Sequence, residues 1–193
     1  SYLVDDVGIS ASRVVRICNG VDCNRFAPDA DARLRFPESV RARFIFGTVG
    51  RMQAVKDPLT LVDAFISLCR QPRAPEMPAP ALVMLGDGPL RIEAQQRLDA
   101  AGLGECCWLP GSRSDIASLL PGLDVFVLPS LAEGISNAIL EAMASGLPVI
   151  ATDVGGNGEL VEESGTGWLV PHSDADALCA AMESLLCAPE VAG

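Results

Sequence analysis

Short apolar segments alternate with segments of helical character along this chain, and that alternation limits the possible fold more than any other feature. Each apolar segment is strand-like in length and ends in a turn rich in glycine, proline or serine. Strands joined through helices form a parallel sheet with right-handed crossovers and helices on both faces. We therefore predict a doubly wound, Rossmann-like α/β domain. The predicted strands are residues 44–49, 81–85, 106–109, 124–128, 148–152 and 167–170, with a further short candidate at 14–17.

Local signals predict where individual helices begin. Asp57 is expected to cap a helix with Pro58 in its first position, and Ser173 is expected to cap the last helix. Residues 29–43 are charged and broken by proline, which predicts an exposed segment.

Charge and cysteine content exclude several classes of function. A net charge of −11 argues against nucleic acid as the main partner and weakens the case for direct binding to anionic lipid. Seven scattered cysteines and a single histidine, His172, do not form a zinc-site pattern, so we expect buried free thiols in a reducing cytoplasm. The sequence contains no apolar run of transmembrane length. The first strand–helix turn lacks the G-x-G-x-x-G of NAD-binding domains.

The stretch from residue 124 to 146 predicts a strand, a short loop and the N-terminus of a helix that ends at Gly146. Such an N-terminus binds anions through its free N–H groups and the helix dipole. Glu133 and Glu141 bracket these groups, and a carboxylate suits vicinal sugar hydroxyls. The plainer alternative is a capping Glu133 and a solvated Glu141. The N–H groups belong to Gly134, Ile135, Ser136 and Asn137.

A second candidate site follows the first strand, where Gly50 and Arg51 lie five residues before Lys56. Open α/β sheets bind ligands beyond the carboxyl ends of their strands. The planar donor fork of Arg51 and the compact charge of Lys56 suit a diphosphate that gains charge as a leaving group. The alternative is a pair of solvated surface cations.

The spacing of Glu133 and Glu141 resembles the EX7E motif of retaining GT-B glycosyltransferases, in particular the GT4 (glycosyl transferases group 1) family. The surrounding sequences FVLPS, EGISNAILEAMASG, PVIAT, GELV and TGWLV match the core of that family. The segment NGVD, with the later Phe26 and Pro28, resembles the family's entry into its second domain. The resemblance covers nearly the whole chain, but only the C-terminal, donor-binding half of the family's GT-B fold.

The resemblance implies roles for individual residues. Glu141 would hold the ribose hydroxyls, Glu133 the transferred sugar, and Arg51 and Lys56 the diphosphate. Arg113 would lie against the nucleobase. The GDGP turn resembles a family turn whose glycines approach the nucleotide, which adds Gly88.

The resemblance also implies partners. The donor would be a nucleotide-diphosphate sugar, most simply UDP- or GDP-linked, and no metal is expected because cations and a helix N-terminus neutralise the leaving group. We identify no Asp-x-Asp metal-binding pattern in the sequence. Residues 1–193 would form the donor domain, with 1–13 a remnant of an interdomain region. A glycan or lipid-linked acceptor would bind through a missing N-terminal domain. The full-length protein would be cytoplasmic, associated peripherally with the membrane and related to exopolysaccharide synthesis, while this part alone would be inactive.

Two other classes of function stay open at this point. One is a non-catalytic module that binds nucleotide sugars. A site that had lost its catalytic role would, however, have no need to keep all four of Arg51, Lys56, Glu133 and Glu141. The other is a different GT-B enzyme, such as a sugar epimerase or a phosphorylase.

Overall fold

A six-stranded parallel sheet forms the centre of the protein in a computed structural model that describes residues 2–15, 17–162 and 165–187. The strands are β1 (Phe44–Val49), β2 (Pro80–Leu85), β3 (Cys107–Gly111), β4 (Val125–Leu128), β5 (Val149–Thr152) and β6 (Gly167–Val170). The helices are α1 (Tyr2–Asp5), α2 (Glu38–Arg41), α3 (Pro58–Arg70), α4 (Arg91–Ala100), α5 (Ile116–Leu119), α6 (Asn137–Ala144), α7 (Asn157–Leu160) and α8 (Ala175–Cys187). The strand order β3-β2-β1-β4-β5-β6 confirms the predicted doubly wound, Rossmann-like fold.

Alternation of side chains along the strands produces two separate cores, one on each face of the sheet. Phe46 and Val127 point into the first core, which is completed by buried side chains of α3, α4 and α8. Ile45 and Phe126, one position away, point into the second core, with buried residues of α5 and α6. Because both faces are covered, the strands consist mainly of apolar residues and do not alternate between apolar and polar ones.

The strand order reverses between β1 and β4, and this reversal opens the position where a ligand can bind. The chain leaves β1 towards α3 in the first core, and it leaves β4 towards α6 in the second core. The two loops therefore diverge from neighbouring strand ends and leave a crevice between them, as in other open α/β sheets. Both candidate sites of the sequence fall in these two loops.

Asp57 occupies the N-cap position of α3 with Pro58 as the first helical residue, as predicted, but the structure corrects which side chains cap α3 and α8. The side chain of Asp57 makes no hydrogen bond to the backbone of α3; its backbone is left-handed (φ 45°), and Oδ2 accepts a hydrogen bond from Thr60 Oγ1 at 2.7 Å. At α8 the cap is Asp174, whose Oδ1 accepts from the Ala177 N–H at 2.8 Å, and not Ser173. In both cases the direction of the incoming loop decides whether a side chain reaches the free N–H groups of the helix. The identity of the first polar residue does not predict it.

Three further predictions differ from the structure. Residues 14, 15 and 17 lie in no strand, and Arg16 lies outside the described residues. The segment 29–43 is not simply exposed, because Ala32, Phe36 and Val40 are buried in or beside the second core. The cysteines are free but not all buried, since Cys18, Cys23 and Cys187 are exposed.

Candidate functional site

The loops that follow β1 and β4 are joined to each other at the carboxyl edge of the sheet. The Leu131 N–H donates to the carbonyl of Val55 at 2.9 Å, which ties the Glu133 loop to the Lys56 turn. The crevice beneath this contact is lined by β1 loop residues, including Gly50, Arg51 and Lys56, and by Pro129 after β4. Two predicted binding segments, far apart in sequence, therefore form one site.

Lys56 and Glu133 form an ion pair at the centre of the site. Lys56 Nζ lies 2.5 Å from Glu133 Oε1, and the buried hydroxyl of Ser130 donates to the same oxygen at 2.7 Å. The Glu133 side chain is only 10% exposed and that of Lys56 30%. Within the described residues no donor is bound to Glu133 Oε2, so the carboxylate is held by one oxygen and keeps the other available.

The N-terminus of α6 offers backbone donors beside this pair. Within residues 2–15, 17–162 and 165–187, no acceptor is bound to the N–H groups of Gly134, Ile135, Ser136 or Asn137. Ser136 caps the helix through its hydroxyl, which accepts from the Ile139 N–H at 3.4 Å. At the other end Gly146 has φ +81°, the left-handed conformation predicted for the residue after a helix. Free N–H groups at a helix N-terminus favour an anion.

Glu141 lies in the second turn of α6 and is partly buried. Burial raises the pKa of its carboxyl above 4.5, while the nearby positive charge of Arg25 acts in the opposite direction. A carboxylate must be ionised to accept hydrogen bonds with both oxygens from vicinal hydroxyls.

We expect nucleotide binding to weaken as the pH falls towards the raised pKa of Glu141, because protonation removes an acceptor from the ribose contact. The loss begins at a higher pH than for an ordinary glutamate. Isothermal titration calorimetry with UDP and GDP across the acidic range measures it. Glu141→Gln is the control: the phosphates titrate equally with both proteins, so the difference in slope belongs to residue 141. Equal slopes would contradict the assignment.

Arg51 and Arg113 line a second cleft next to the crevice, bounded by Gly50, Asp87 and Ile116, with a volume of about 420 Å³. Arg51 is exposed and makes no ion pair within the described part of the chain. Arg113 is held by Asp115 in a two-point ion pair at 2.8 and 2.6 Å, and its guanidinium carbon lies 5.8 Å from the centre of the Trp108 ring. The volume of the cleft is large enough to hold a nucleobase.

Gly88 does not line either opening. A side chain there would meet the backbone of Met52 at 2.3 Å, and Gly86 is packed equally closely against Gly50. The Met52 N–H donates to the carbonyl of Asp87 at 2.9 Å. The GDGP turn therefore supports the β1 loop from behind, and the structure does not bring Gly88 together with the other candidate residues.

Residues for which the sequence indicated no role in the site also hold it. Asn19 Nδ2 donates to the carbonyl of Ile135 at 3.1 Å and to Asn137 Oδ1 at 2.9 Å. Gly155 and Gly156 pack against the Glu133 loop, and the Gly156 N–H donates to the carbonyl of Gly134 at 2.8 Å. Asn-Gly at 19 and Gly-Gly at 155 predict ordinary turns, and no sequence pattern indicates that they contact residues 133–137.

The described residues contain no group of three or more His, Cys, Asp or Glu side chains placed to hold a metal ion. Two Asp-x-Asp spacings do occur, at Asp29–Asp31 and Asp174–Asp176, and neither lines the crevice or the cleft. Asp29 pairs with Arg35 at 2.8 Å, and Asp174 caps α8. In residues 2–15, 17–162 and 165–187 none of the helices has the length and apolar character needed to cross a bilayer.

Comparison with known proteins matches residues 43–188 to the family model described as "Glycosyl transferases group 1". The chain is 33% identical over 183 residues to an Escherichia coli UDP-Gal:alpha-D-GlcNAc-diphosphoundecaprenol alpha-1,3-galactosyltransferase, covering 93% of this chain and 46% of that protein. It is 35% identical to a Mycolicibacterium smegmatis GDP-mannose-dependent alpha-(1-6)-phosphatidylinositol monomannoside mannosyltransferase, covering 88% and 46%. The chain thus spans about half the length of these curated relatives.

Solved structures show the same architecture. Anabaena HepE in complex with UDP and glucose superposes with a TM-score of 0.82 at 25% identity, covering 97% of this chain and 51% of that one. The C-terminal domain of a group 1 glycosyl transferase from Francisella tularensis superposes with a TM-score of 0.78 at 25% identity, covering 90% and 91%. The second structure contains only the C-terminal domain of its protein.

Proposed function

The chain belongs to the glycosyl transferases group 1 family, and on that premise we propose that it is the nucleotide-sugar donor domain of a retaining glycosyltransferase. In this proposal residues 1–193 form the donor half of a GT-B enzyme, and residues 1–13 belong to the connection with an acceptor domain. Transfer itself requires that second domain, so the isolated donor half binds donor without turning it over.

The observation that carries the proposal is the meeting of Lys56, Glu133 and the α6 N-terminus at the reversal point of the sheet. A cation, a carboxylate and four N–H groups, to which no acceptor is bound among the described residues, lie within two joined loops. A diphosphate needs the cation and the N–H groups, whereas sugar hydroxyls need the carboxylate. A nucleotide sugar carries both chemistries in adjacent parts of one molecule.

Each part of the donor then has its own residues. The base occupies the cleft beside Arg113, and Glu141 accepts from the ribose hydroxyls. Arg51, Lys56 and the N–H groups of residues 134–137 bind the diphosphate. Glu133 accepts from the transferred sugar through its available oxygen. Gly50 allows the backbone after β1 to approach the phosphates. Gly88 has only a supporting role, because it is packed against the backbone of Met52.

Transfer breaks the bond between the sugar and the diphosphate and forms a bond from the same sugar carbon to the acceptor oxygen, with the anomeric configuration kept. The acceptor hydroxyl loses its proton to the leaving diphosphate. The leaving diphosphate gains negative charge, which Lys56, Arg51 and the α6 N-terminus stabilise. These groups supply positive charge from the protein, and we propose that no divalent metal is required. Retention rests on the resemblance of Glu133 and Glu141 to the EX7E motif.

Relatives suggest the class of donor and acceptor. One is named for UDP-Gal and a diphosphoundecaprenol acceptor, another for GDP-mannose and phosphatidylinositol monomannoside, and further ones for colanic acid and amylovoran biosynthesis. We propose a UDP- or GDP-linked donor and a glycan or lipid-linked acceptor in exopolysaccharide synthesis. An acceptor carried on a lipid would bring the full-length protein to the cytoplasmic face of the membrane.

Calorimetric titration with UDP, GDP and ADP, with and without EDTA, tests the proposal. We expect one nucleotide to bind with micromolar affinity, about −8 kcal/mol, and the affinity to survive EDTA. Glu141→Ala should weaken that binding by about 100-fold, since it removes two hydrogen bonds from the ribose to a charged group, each worth about 1.5 kcal/mol. Absence of binding by all three nucleotides and by their sugar derivatives would contradict the proposal, and loss of binding in EDTA would contradict its metal-free part.

A further inference from the structure

We propose that Ser130 is a positioning residue for Glu133 and that it determines how well the donor's sugar, as distinct from its nucleotide, is recognised. This inference rests on the proposed function and adds a residue that touches neither the sugar nor the phosphates. Ser130 acts through the Glu133 carboxylate, and it is itself held from the neighbouring strand β5.

The first step is the contact between Ser130 and Glu133. Ser130 is completely buried, and its Oγ donates to Glu133 Oε1 at 2.7 Å. Lys56 Nζ binds the same oxygen at 2.5 Å. Two donors on one oxygen, from opposite loops, restrict rotation of the carboxylate and leave Oε2 as its free acceptor. Lys56 alone, a flexible point charge on a long stem, would not define one orientation.

The second step is the support of Ser130 by β5. Thr152 Oγ1 donates to the Ser130 carbonyl at 2.6 Å, and the Thr152 carbonyl accepts from Asn157 Nδ2 at 3.0 Å. Thr152 is 2% exposed and Asn157 is fully buried. The chain of contacts from α7 through the end of β5 to Ser130 is therefore built from polar groups shielded from water, where hydrogen bonds are strongest.

The series of hydrogen bonds from Ser130 through Thr152 ends at Asn157, which has a buried polar atom without a partner among the described residues. Asn157 Oδ1 has no hydrogen-bond partner among the described residues, although its amide nitrogen is used. An apolar residue at position 157 would avoid the free-energy cost of this unpaired oxygen, but it could not donate a hydrogen bond to the Thr152 carbonyl. The loop around Asn157 also contacts the Glu133 loop directly, through the bond from the Gly156 N–H to the Gly134 carbonyl. Strand β5 and the loop that follows it thus support the Glu133 loop at two points, through Thr152 and through Gly156.

Ser130→Ala tests the inference because it removes the hydroxyl without enlarging the side chain. We expect affinity for UDP-glucose or GDP-mannose, whichever base the protein binds, to fall by up to about tenfold, because the carboxylate freed from Ser130 must be ordered when the sugar binds. Affinity for UDP or GDP should change less than about twofold, because the diphosphate is bound by other groups. Calorimetry of the 193-residue chain gives both constants.

Ser145→Ala is the matched control. Ser145 is also buried, and its Oγ donates to a backbone carbonyl, that of Glu141, at 2.8 Å. The Ser145→Ala variant should leave the ratio of nucleotide-sugar affinity to nucleotide affinity unchanged. In the Glu133→Gln background, Ser130→Ala should have no further effect on the ratio, because the group through which it acts is altered. An independent tenfold effect there, or an unchanged ratio in the single variant, would overturn the inference.

A second measurement does not depend on a ligand. Lys56 is the only lysine of the chain, so a protein with isotope-labelled lysine gives a single side-chain ammonium signal by NMR. Ser130→Ala should move this signal, since Lys56 and Ser130 share one oxygen, and Ser145→Ala should not. An unmoved signal would overturn the positioning role. A moved signal in a protein that binds no nucleotide or nucleotide sugar would sustain the positioning role and overturn the proposed function instead.

Discussion

Replacing Lys56 by methionine is expected to weaken nucleoside diphosphate binding by about 30- to 100-fold, the loss of one or two charged hydrogen bonds. The substitution keeps the length of the stem and removes the ammonium that pairs with Glu133. It also leaves a 10% exposed carboxylate without its cation next to the incoming phosphates, which adds repulsion to the lost attraction. Calorimetry with the preferred diphosphate measures the effect, and thermal unfolding checks that the variant is folded.

Arg97→Met is the matched control for the loss of a cation. Arg97 pairs with Asp63 and Glu93 on the surface formed by α3 and α4, at 2.8 and 2.6 Å. It lines neither the crevice nor the cleft, and its removal should change nucleotide affinity less than twofold, as expected for exposed ion pairs. Equal losses in the two variants would show that net charge, and not the position of Lys56, governs binding.

Gly155→Ala should have the largest structural effect in the site. Gly155 has φ +55°, and a side-chain carbon there would lie 1.8 Å from the carbonyl oxygen of Glu133. Left-handed strain and displacement of the Glu133 loop together should cost about 2–3 kcal/mol of unfolding free energy. Since the loop must move, affinity for the nucleotide sugar should fall more than about tenfold. Denaturant unfolding and calorimetry measure the two quantities.

Gly158→Ala is the control that separates this effect from a general destabilisation by any glycine-to-alanine substitution in the same segment. At Gly158, on α7, the added carbon would meet its nearest neighbour, Asp153 Oδ1, at 3.4 Å, and the backbone is not left-handed. That variant should be as stable as the unaltered protein or slightly more so, because alanine favours helix over glycine. A stable Gly155→Ala variant with normal donor affinity would show that the contact with Glu133 does not position the loop.

Much of the fold was predictable because parallel strands buried on both faces leave a strong local signal. Each of the six predicted strands overlaps an observed one, and the alternation with helices correctly predicted the doubly wound sheet. The errors lie where a local pattern competes with tertiary context. Phe36 and Val40 sit in a charged, proline-broken segment, yet they cover the second core. Asp57 precedes Pro58 as a cap would, yet a left-handed backbone turns its side chain towards Thr60.

Sequence by itself determined the fold class, the family and the two loops that carry the candidate site, because strand periodicity, turn residues and the Glu133–Glu141 spacing are all local patterns. Only the tertiary structure decided which groups in those loops touch. Lys56 meets Glu133 across 77 residues, Asn19 reaches Ile135 across 116, and Thr152 supports Ser130 from another strand. These contacts depend on strand order and loop direction, which place distant residues within hydrogen-bond reach and leave no periodic trace along the chain.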